Sequence, residues 1–297
     1  MSMSPWLLSA KEWLIPPGLS RLAGQWRAER VLPSADRTLL AANRGLHGRH
    51  AGRRGFILCS GPSIKTQNLT GLRNELCLGV SNFFVHPDYA TINPRYHCIA
   101  PLHAPFTDED GLRWFRTMEA PLAGKELFLS LSDRHLVQQG NLFASTPIHY
   151  LSLGRSWGQS RPPDVALDTR LPGAQSVSIL ALMIALQLGF AEIYLLGVDH
   201  TSLNFQNGQY GYQHFYTGRR GNALGEMPPP PDLEPEFASY VNLWRQYKAL
   251  RTIAAARGVR IFNATRGGML DVFPRVELES LLGSAGLPAG PDSPRSA

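Results

Sequence analysis

Phe56-Ile-Leu-Cys-Ser-Gly61-Pro62-Ser63-Ile-Lys65 runs from a short apolar stretch straight into a glycine-proline turn. An apolar run of this length bounded by turn residues reads as a buried strand. The turn after it exposes backbone amides and a hydroxyl, and the end of the first strand is where α/β folds take nucleotides. Outward from this stretch, apolar runs alternate with segments of helical period, the pattern of a βα succession and a largely parallel sheet. The expected strands are Gly55 to Cys59, Glu75 to Val80, His97 to Ala100, Glu126 to Ser130, Ile148 to Leu151, Glu192 to Val198 and Val259 to Asn263.

Two helices stand out between them. Ser176 to Leu188 is apolar almost all round, so it must lie under other structure, and Gly189 suits its left-handed cap. Its serine-rich start would point free amides toward an anion. An amphipathic helix from about Phe237 to Arg257 ends at Gly258. The segment from Thr201 to Pro235, rich in Gly, Tyr, Asn and Pro, has the length of an active-site lid.

Composition narrows the classes of function. With 297 residues, 43% hydrophobic and 18% charged, the chain builds one main domain. No uninterrupted apolar run reaches about 18 residues and the start carries no leader pattern, so a cytoplasmic protein is expected. Cys59, Cys77 and Cys98 sit far apart in apolar runs and read as buried thiols. Residues 1–54 hold nine Lys or Arg and three acids, which accounts for the whole net charge of +6. The main domain is therefore formally neutral, and nucleic acid is not an expected partner. The basic arm also carries Trp6, Trp13 and Trp26, so it either caps the core or meets an anionic membrane surface. The division reads as an arm over 1–52, a domain over 53–285 with its lid over 201–235, and a disordered tail over 286–297.

Three further segments carry candidate chemistry. Leu78-Gly-Val-Ser81-Asn82-Phe83 ends a second strand in two polar residues, and Asn82 offers both a donor and an acceptor. Glu192-Ile-Tyr-Leu-Leu-Gly197-Val-Asp199-His200 delivers an acid and an imidazole to the same edge. Tyr210-Gly-Tyr212-Gln-His214-Phe-Tyr216 places phenols and an imidazole in the glycine-rich loop, where they would serve a leaving phosphate and a hydroxyl proton. Asp108-Glu109-Asp110 mimics a metal-binding DxD motif, but Thr107 ahead of three acids reads as a helix start. His97, His103 and His135 lack ligand spacing, and no metal is expected.

The segments Ser60-Gly-Pro-Ser-Ile-Lys65, Gly79-Val-Ser-Asn82, His86-Pro-Asp88, Gly197-Val-Asp199, His214-Phe-Tyr216, Phe262-Asn-Ala-Thr265, Gly267-Gly268 and Asp271-Val-Phe-Pro-Arg275 come in an order that resembles the MptE-like domain family of bacterial polysaccharide loci, related to motility-associated factors. The order is also similar to the sialyltransferases of glycosyltransferase family forty-two. That resemblance implies a Rossmann-like, mostly parallel sheet with helices on both faces, in a single-domain sialyltransferase-like variant. It implies an inverting, metal-independent transfer from a CMP-activated, sialic-acid-like sugar onto a surface polysaccharide or lipid-linked glycan, as in lipopolysaccharide or capsule synthesis. No cofactor beyond the nucleotide-sugar donor is implied. A peripheral place on the inner membrane face and a homo-oligomer are compatible with it.

By the same resemblance Gly61, Ser63 and Asn82 bind the nucleotide and Ser176 lies near the phosphate or sugar acid, and Ser60, Pro62, Ser81, Asp199, His200 and Thr201, at the same strand ends, complete the candidate donor site. His214 takes the general-base position, and Tyr210 or Tyr212 meets the leaving phosphate. The chain has Thr201 where those enzymes carry a phosphate-contacting tyrosine, and Ser60 where they often have asparagine. The archaeal namesake of the MptE-like domain implies the second reading, a pterin or other diphosphokinase using ATP and magnesium. A nucleotide-binding protein without catalysis is the third.

Overall fold

The computed structural model describes residues 32–155, 157, 164–201, 214–216 and 233–283. Its centre is an eight-stranded sheet in the order β6-β5-β4-β3-β2-β1-β7-β8, with every adjacent pair parallel. The strands are β1 Arg54–Leu58, β2 Leu76–Val80, β3 Tyr96–Cys98, β4 Glu126–Ser130, β5 Ile148–Arg155, β6 Arg170–Pro172, β7 Glu192–Leu196 and β8 Arg260–Asn263. Seven lie within a few residues of the expected runs. The eighth, β6, was not expected: three residues containing Arg and Pro carry no strand signature. It forms because the edge of β5 offers unpaired groups, with a register shift near Gly154. β5 likewise runs four residues past Leu151.

The interior strands are apolar on both faces, as a doubly covered parallel sheet requires. Phe56 and Leu58 of β1 point into one core, Ile57 and the following Cys59 into the other. Helices cover each face. On the Phe56 side lie α3 (Asp108–Leu122), α4 (Arg134–Gly140) and α7 (Leu278–Gly283), with the short α2 (Tyr89–Ile92). On the Ile57 side lie α5 (Val177–Leu188) and α6 (Leu233–Ala256). α5 is buried from Ser178 through Leu188 because it passes between the sheet and α6, which is why its sequence shows no polar face. Each of its large aliphatic side chains contributes about 1.5–3 kcal/mol of burial, an upper bound on an extended-chain reference. Gly189 ends it at φ +81.

α6 begins at Leu233, four residues earlier than expected, with Pro235 in its first turn where a missing N–H costs nothing. Thr107 and Asp110 close a capping box at the head of α3, so the three acids there do serve a helix start. All three cysteines are buried and free. Residues 34–50 pack on the domain through α1 (Ser34–Ala41) and the 3₁₀ turn Ala42–Leu46, where the Asn43 amide donates to the carbonyls of Tyr150 and Leu167. Among the described residues no helix is long and apolar enough to cross a membrane.

Candidate active site

Strand order reverses at β1: the chain first lays β2 to β6 on one side, then returns through α5 to place β7 and β8 on the other. Such a reversal leaves a crevice beyond the carboxyl ends of β1 and β7. The loops after these two strands are stitched together there. Cys59 N–H donates to the Leu196 carbonyl and Gly61 N–H to the Gly197 carbonyl, each at 2.9 Å.

Asp199 organises this junction. One carboxylate oxygen accepts from the Ser63 amide at 3.0 Å and the other from the Ser63 hydroxyl at 2.7 Å. Burial raises the Asp199 carboxyl above its usual range, against the opposing pull of the Ser63 hydrogen bonds. Gly61 has an ordinary φ of −62, so its need for glycine is spatial: a Cβ would run into the Asp199 carboxylate and the Gly197 carbonyl. Gly197, at φ +67, leaves no room either, since a Cβ would stand 2.5 Å from the Cys59 carbonyl oxygen. Pro62 opens the 3₁₀ turn Pro62–Thr66 that presents Ser63.

The loop after β8 supports Asp199 from behind. Met269 N–H donates to the Asp199 carbonyl at 2.8 Å, and the Thr265 hydroxyl accepts from Val198 N–H at 3.0 Å. The Asn263 side chain bridges Thr265 N–H and the Leu270 carbonyl, and Arg275 gathers the carbonyls of Thr265, Gly267, Gly268 and Leu270. The Asn263, Thr265, Gly268 and Arg275 motif residues thus form a brace, a role that local sequence did not assign to them.

On the β2 side, Ser81 has φ +46 and its carbonyl accepts from His97 Nε2 at 2.8 Å. Burial lowers His97 to about 4, so its imidazole is neutral at pH 7. Asn82 is 3% exposed; its Oδ1 accepts from the Trp114 indole at 2.6 Å, and its side chain hydrogen-bonds the Tyr216 hydroxyl. Residues 214–216 are anchored in this corner. Phe215 N–H donates to the Ser60 carbonyl at 3.0 Å, and its ring meets Phe83 and His86 edge-on. The His214 ring stacks on Tyr216, with centroids 4.9 Å apart, and hydrogen-bonds the Ser60 backbone. Burial lowers the His214 pKa, only partly offset by that bond. Ser60 Oγ is buried with no partner among the described residues, a rare state for a buried hydroxyl.

The predicted residues therefore fall into two joined groups. Asn82 and His214 meet through Tyr216, and Ser60 joins them through His214 and the Phe215 N–H, while Gly61 and Ser63 are held against Asp199. Ser176 caps the start of α5 and bonds Ser178 rather than a helix amide. His200 turns away from Ser63, its Nε2 meeting the Tyr247 hydroxyl at 2.7 Å, and Thr201 follows at the limit of this stretch. Tyr210 and Tyr212 lie outside the described residues, as do 1–31 of the arm and the 286–297 tail. Sequence reasoning passed over Trp114, Ser178 and Tyr247, whose partners lie 32 to 69 residues away. Among the described residues no cluster of three or more His, Cys, Asp or Glu side chains is arranged to hold a metal ion.

No family model matches this chain, and no curated protein does. Among solved structures it is similar to the monofunctional alpha-2,3-sialyltransferase Cst-I from Campylobacter jejuni, with 16% sequence identity and a TM-score of 0.37 over 75% of this chain and 80% of that one. A likeness of that degree assigns no activity.

Proposed function

We propose that the chain is a glycosyltransferase that moves a sugar from a cytidine nucleotide onto a glycan or lipid-linked acceptor. The observation that carries this reading is the meeting of Ser60, Asn82, His214 and Tyr216 beside the strand-order reversal, the position at which doubly wound sheets bind nucleotides. The Ser60 hydroxyl, which has no partner among the described residues, supplies a hydrogen bond for a phosphate or ribose, whereas the turn amides expected to do so are already committed, Gly61 to the Gly197 carbonyl and Ser63 to Asp199. His214, neutral at pH 7 because burial lowers its pKa, has one nitrogen committed to the Ser60 backbone. The other nitrogen is then the unprotonated one, as a general base for an acceptor hydroxyl requires. Tyr210 and Tyr212, from the same segment, serve the departing phosphate in this proposal.

The diphosphokinase reading ranks second. It needs acidic groups for magnesium, and Asp199, the acid best placed by sequence, spends both oxygens on Ser63. Thermal-shift measurements with CMP, UDP, GDP and ATP, each with and without EDTA, separate the readings because a bound ligand stabilises the fold by mass action. CMP stabilisation indifferent to EDTA supports the transferase; ATP stabilisation that needs magnesium supports the kinase. His214→Ala is expected to cut turnover by roughly 100-fold or more while leaving CMP affinity within a few-fold. Unchanged turnover removes His214 from the catalytic role.

A further inference from the structure

Helix α6 has apolar residues on two sides, and the fold buries only one of them. Leu243, Tyr247, Leu250 and Ala254 are buried toward α5 and the sheet. On another side Leu233, Phe237 and Val241 are 42%, 54% and 49% exposed. They stand four residues apart and so line up along the helix, and Trp244, Lys248 and Arg251 continue that line at the helical period. The line runs for about 27 Å. Met269, 41% exposed, is the fourth large apolar side chain left open among the described residues. It belongs to the loop after β8 that this side of α6 grips, the Trp244 indole donating to Asp271 at 2.8 Å and Arg251 to the Val272 carbonyl at 3.0 Å. Scattered single exposures are ordinary, but here all four gather in one region.

Along its length the line changes from apolar to cationic. From Phe237 to Arg257 the chain holds Arg245, Lys248, Arg251 and Arg257 and no acid. Arg257 is paired with Asp164, but Arg245 and Lys248 are exposed with no acid partner among the described residues, and Arg251 bonds a neutral carbonyl. A partner has to suit both halves. Nucleic acid matches the cations and leaves the four apolar side chains in water. A second copy pairing this line with itself supplies far fewer than the roughly 20 residues a side of a stable interface, and full antiparallel overlap sets Lys248 and Arg251 on the other copy's apolar half. Residues 1–31 carry Lys11, Arg21, Arg27 and Arg30 against Glu12 and Glu29, the same sign as the helix. An anionic bilayer suits both halves: Leu233, Phe237, Val241 and Met269 enter the acyl boundary, the stacked Tyr240 and Trp244 rings sit at headgroup level, and the cations meet lipid phosphates.

We propose that the outward side of α6, together with Met269, is a docking surface for an anionic lipid bilayer. The surface adjoins the candidate site, because Tyr240 and Trp244 flank the His200 ring and Met269 N–H bonds the Asp199 carbonyl. Docking stands apart from the transferase reading and gives that reading an acceptor held in the bilayer.

Co-sedimentation of the full chain with vesicles of phosphatidylglycerol and phosphatidylcholine, against phosphatidylcholine alone, tests it. The wild type is expected to bind the mixed vesicles and to be released by salt. Each Lys or Arg near such a surface strengthens binding roughly 5-fold, so Arg245→Gln with Lys248→Gln is expected to weaken it roughly 25-fold. Phe237→Ser with Val241→Ser is expected to weaken it roughly 10-fold or more. Circular dichroism checks the fold of both variants, whose substituted side chains are all exposed. A second measurement needs neither variant: a polarity-sensitive fluorophore on Val241→Cys is expected to brighten with the mixed vesicles, while the same label on Gln138→Cys, exposed on α4 across the sheet, stays unchanged. The three native cysteines are buried and do not compete for the label. A wild type that ignores the mixed vesicles, or variants that bind as it does, overturns the proposal. So does a dimer in light scattering that Phe237→Ser with Val241→Ser separates, which gives the surface to a second copy. RNA binding that only the charge variant abolishes overturns it as well. None of these readouts uses a nucleotide sugar, so failure of the transferase reading leaves them untouched.

Discussion

Gly267 and Gly268 provide a matched pair for the claim that the brace behind Asp199 is held by close backbone approach. Both sit in the left-handed region, at φ +72 and +74, so alanine at either pays the same conformational penalty of about 1–2 kcal/mol. They differ in what a Cβ would touch. At Gly267 nothing lies within 4 Å, whereas at Gly268 the Asp199 Cα and carbonyl oxygen both lie at 2.9 Å. That neighbour is backbone, clamped by the Met269 N–H bond to the same carbonyl, so it cannot swing aside as a side-chain tip would. Overpacking of this kind adds about 1–3 kcal/mol. Gly267→Ala is therefore expected to lose about 1–2 kcal/mol and Gly268→Ala about 2–5 kcal/mol in urea denaturation, with unchanged m-values. Because Asp199 carries Ser63, Gly268→Ala should also weaken CMP binding while Gly267→Ala does not. Equal destabilisation by the two substitutions refutes the argument.

Asp199→Ala, which strips Ser63 of both acceptors, should cost about 1–3 kcal/mol, and Asp199→Asn less, since the amide keeps an acceptor and sheds a buried charge; thermal denaturation compares them. His97 and His200, ordinary at 6.5 when unfolded and near 4 when folded, stabilise the fold fully above pH 6.5 and lose that contribution as pH falls toward 4. Each contributes on the order of 3 kcal/mol, so acid unfolding should shift to lower pH in His97→Gln, and a midpoint that does not move contradicts the assignment. At the amino-terminal end of β4, away from the carboxyl ends where the site lies, Glu126 accepts from Arg49, Arg95 and His149. Burial pushes its carboxyl up, but those hydrogen bonds outweigh it and hold the carboxyl below its usual range. Its contribution is present above the unfolded carboxylate pKa and lost below it. Glu126→Gln should therefore lower the melting temperature at pH 7 more than at pH 4, and CMP affinity should stay the same.

Much of this molecule is written locally. Alternation of apolar strands with helical segments, the all-round apolar α5, the Gly189 cap and the Thr107 helix start each depend on residues within a turn or two, where periodicity and cap chemistry act, so the amino-acid order alone specified them. It also named Ser60, Asn82 and His214 as candidates. What it left open is which side chains meet. Ser63 and Asp199 are 136 residues apart and Ser178 and Tyr247 are 69 apart, and only the return of the chain through α5 to β7 brings each pair within hydrogen-bond reach. A side chain's donors and acceptors are assigned by its neighbours in space. Asp199 therefore became a clamp on Ser63, His200 turned to Tyr247, and β6 exists because an edge was available to pair with it, none of which a local window can express.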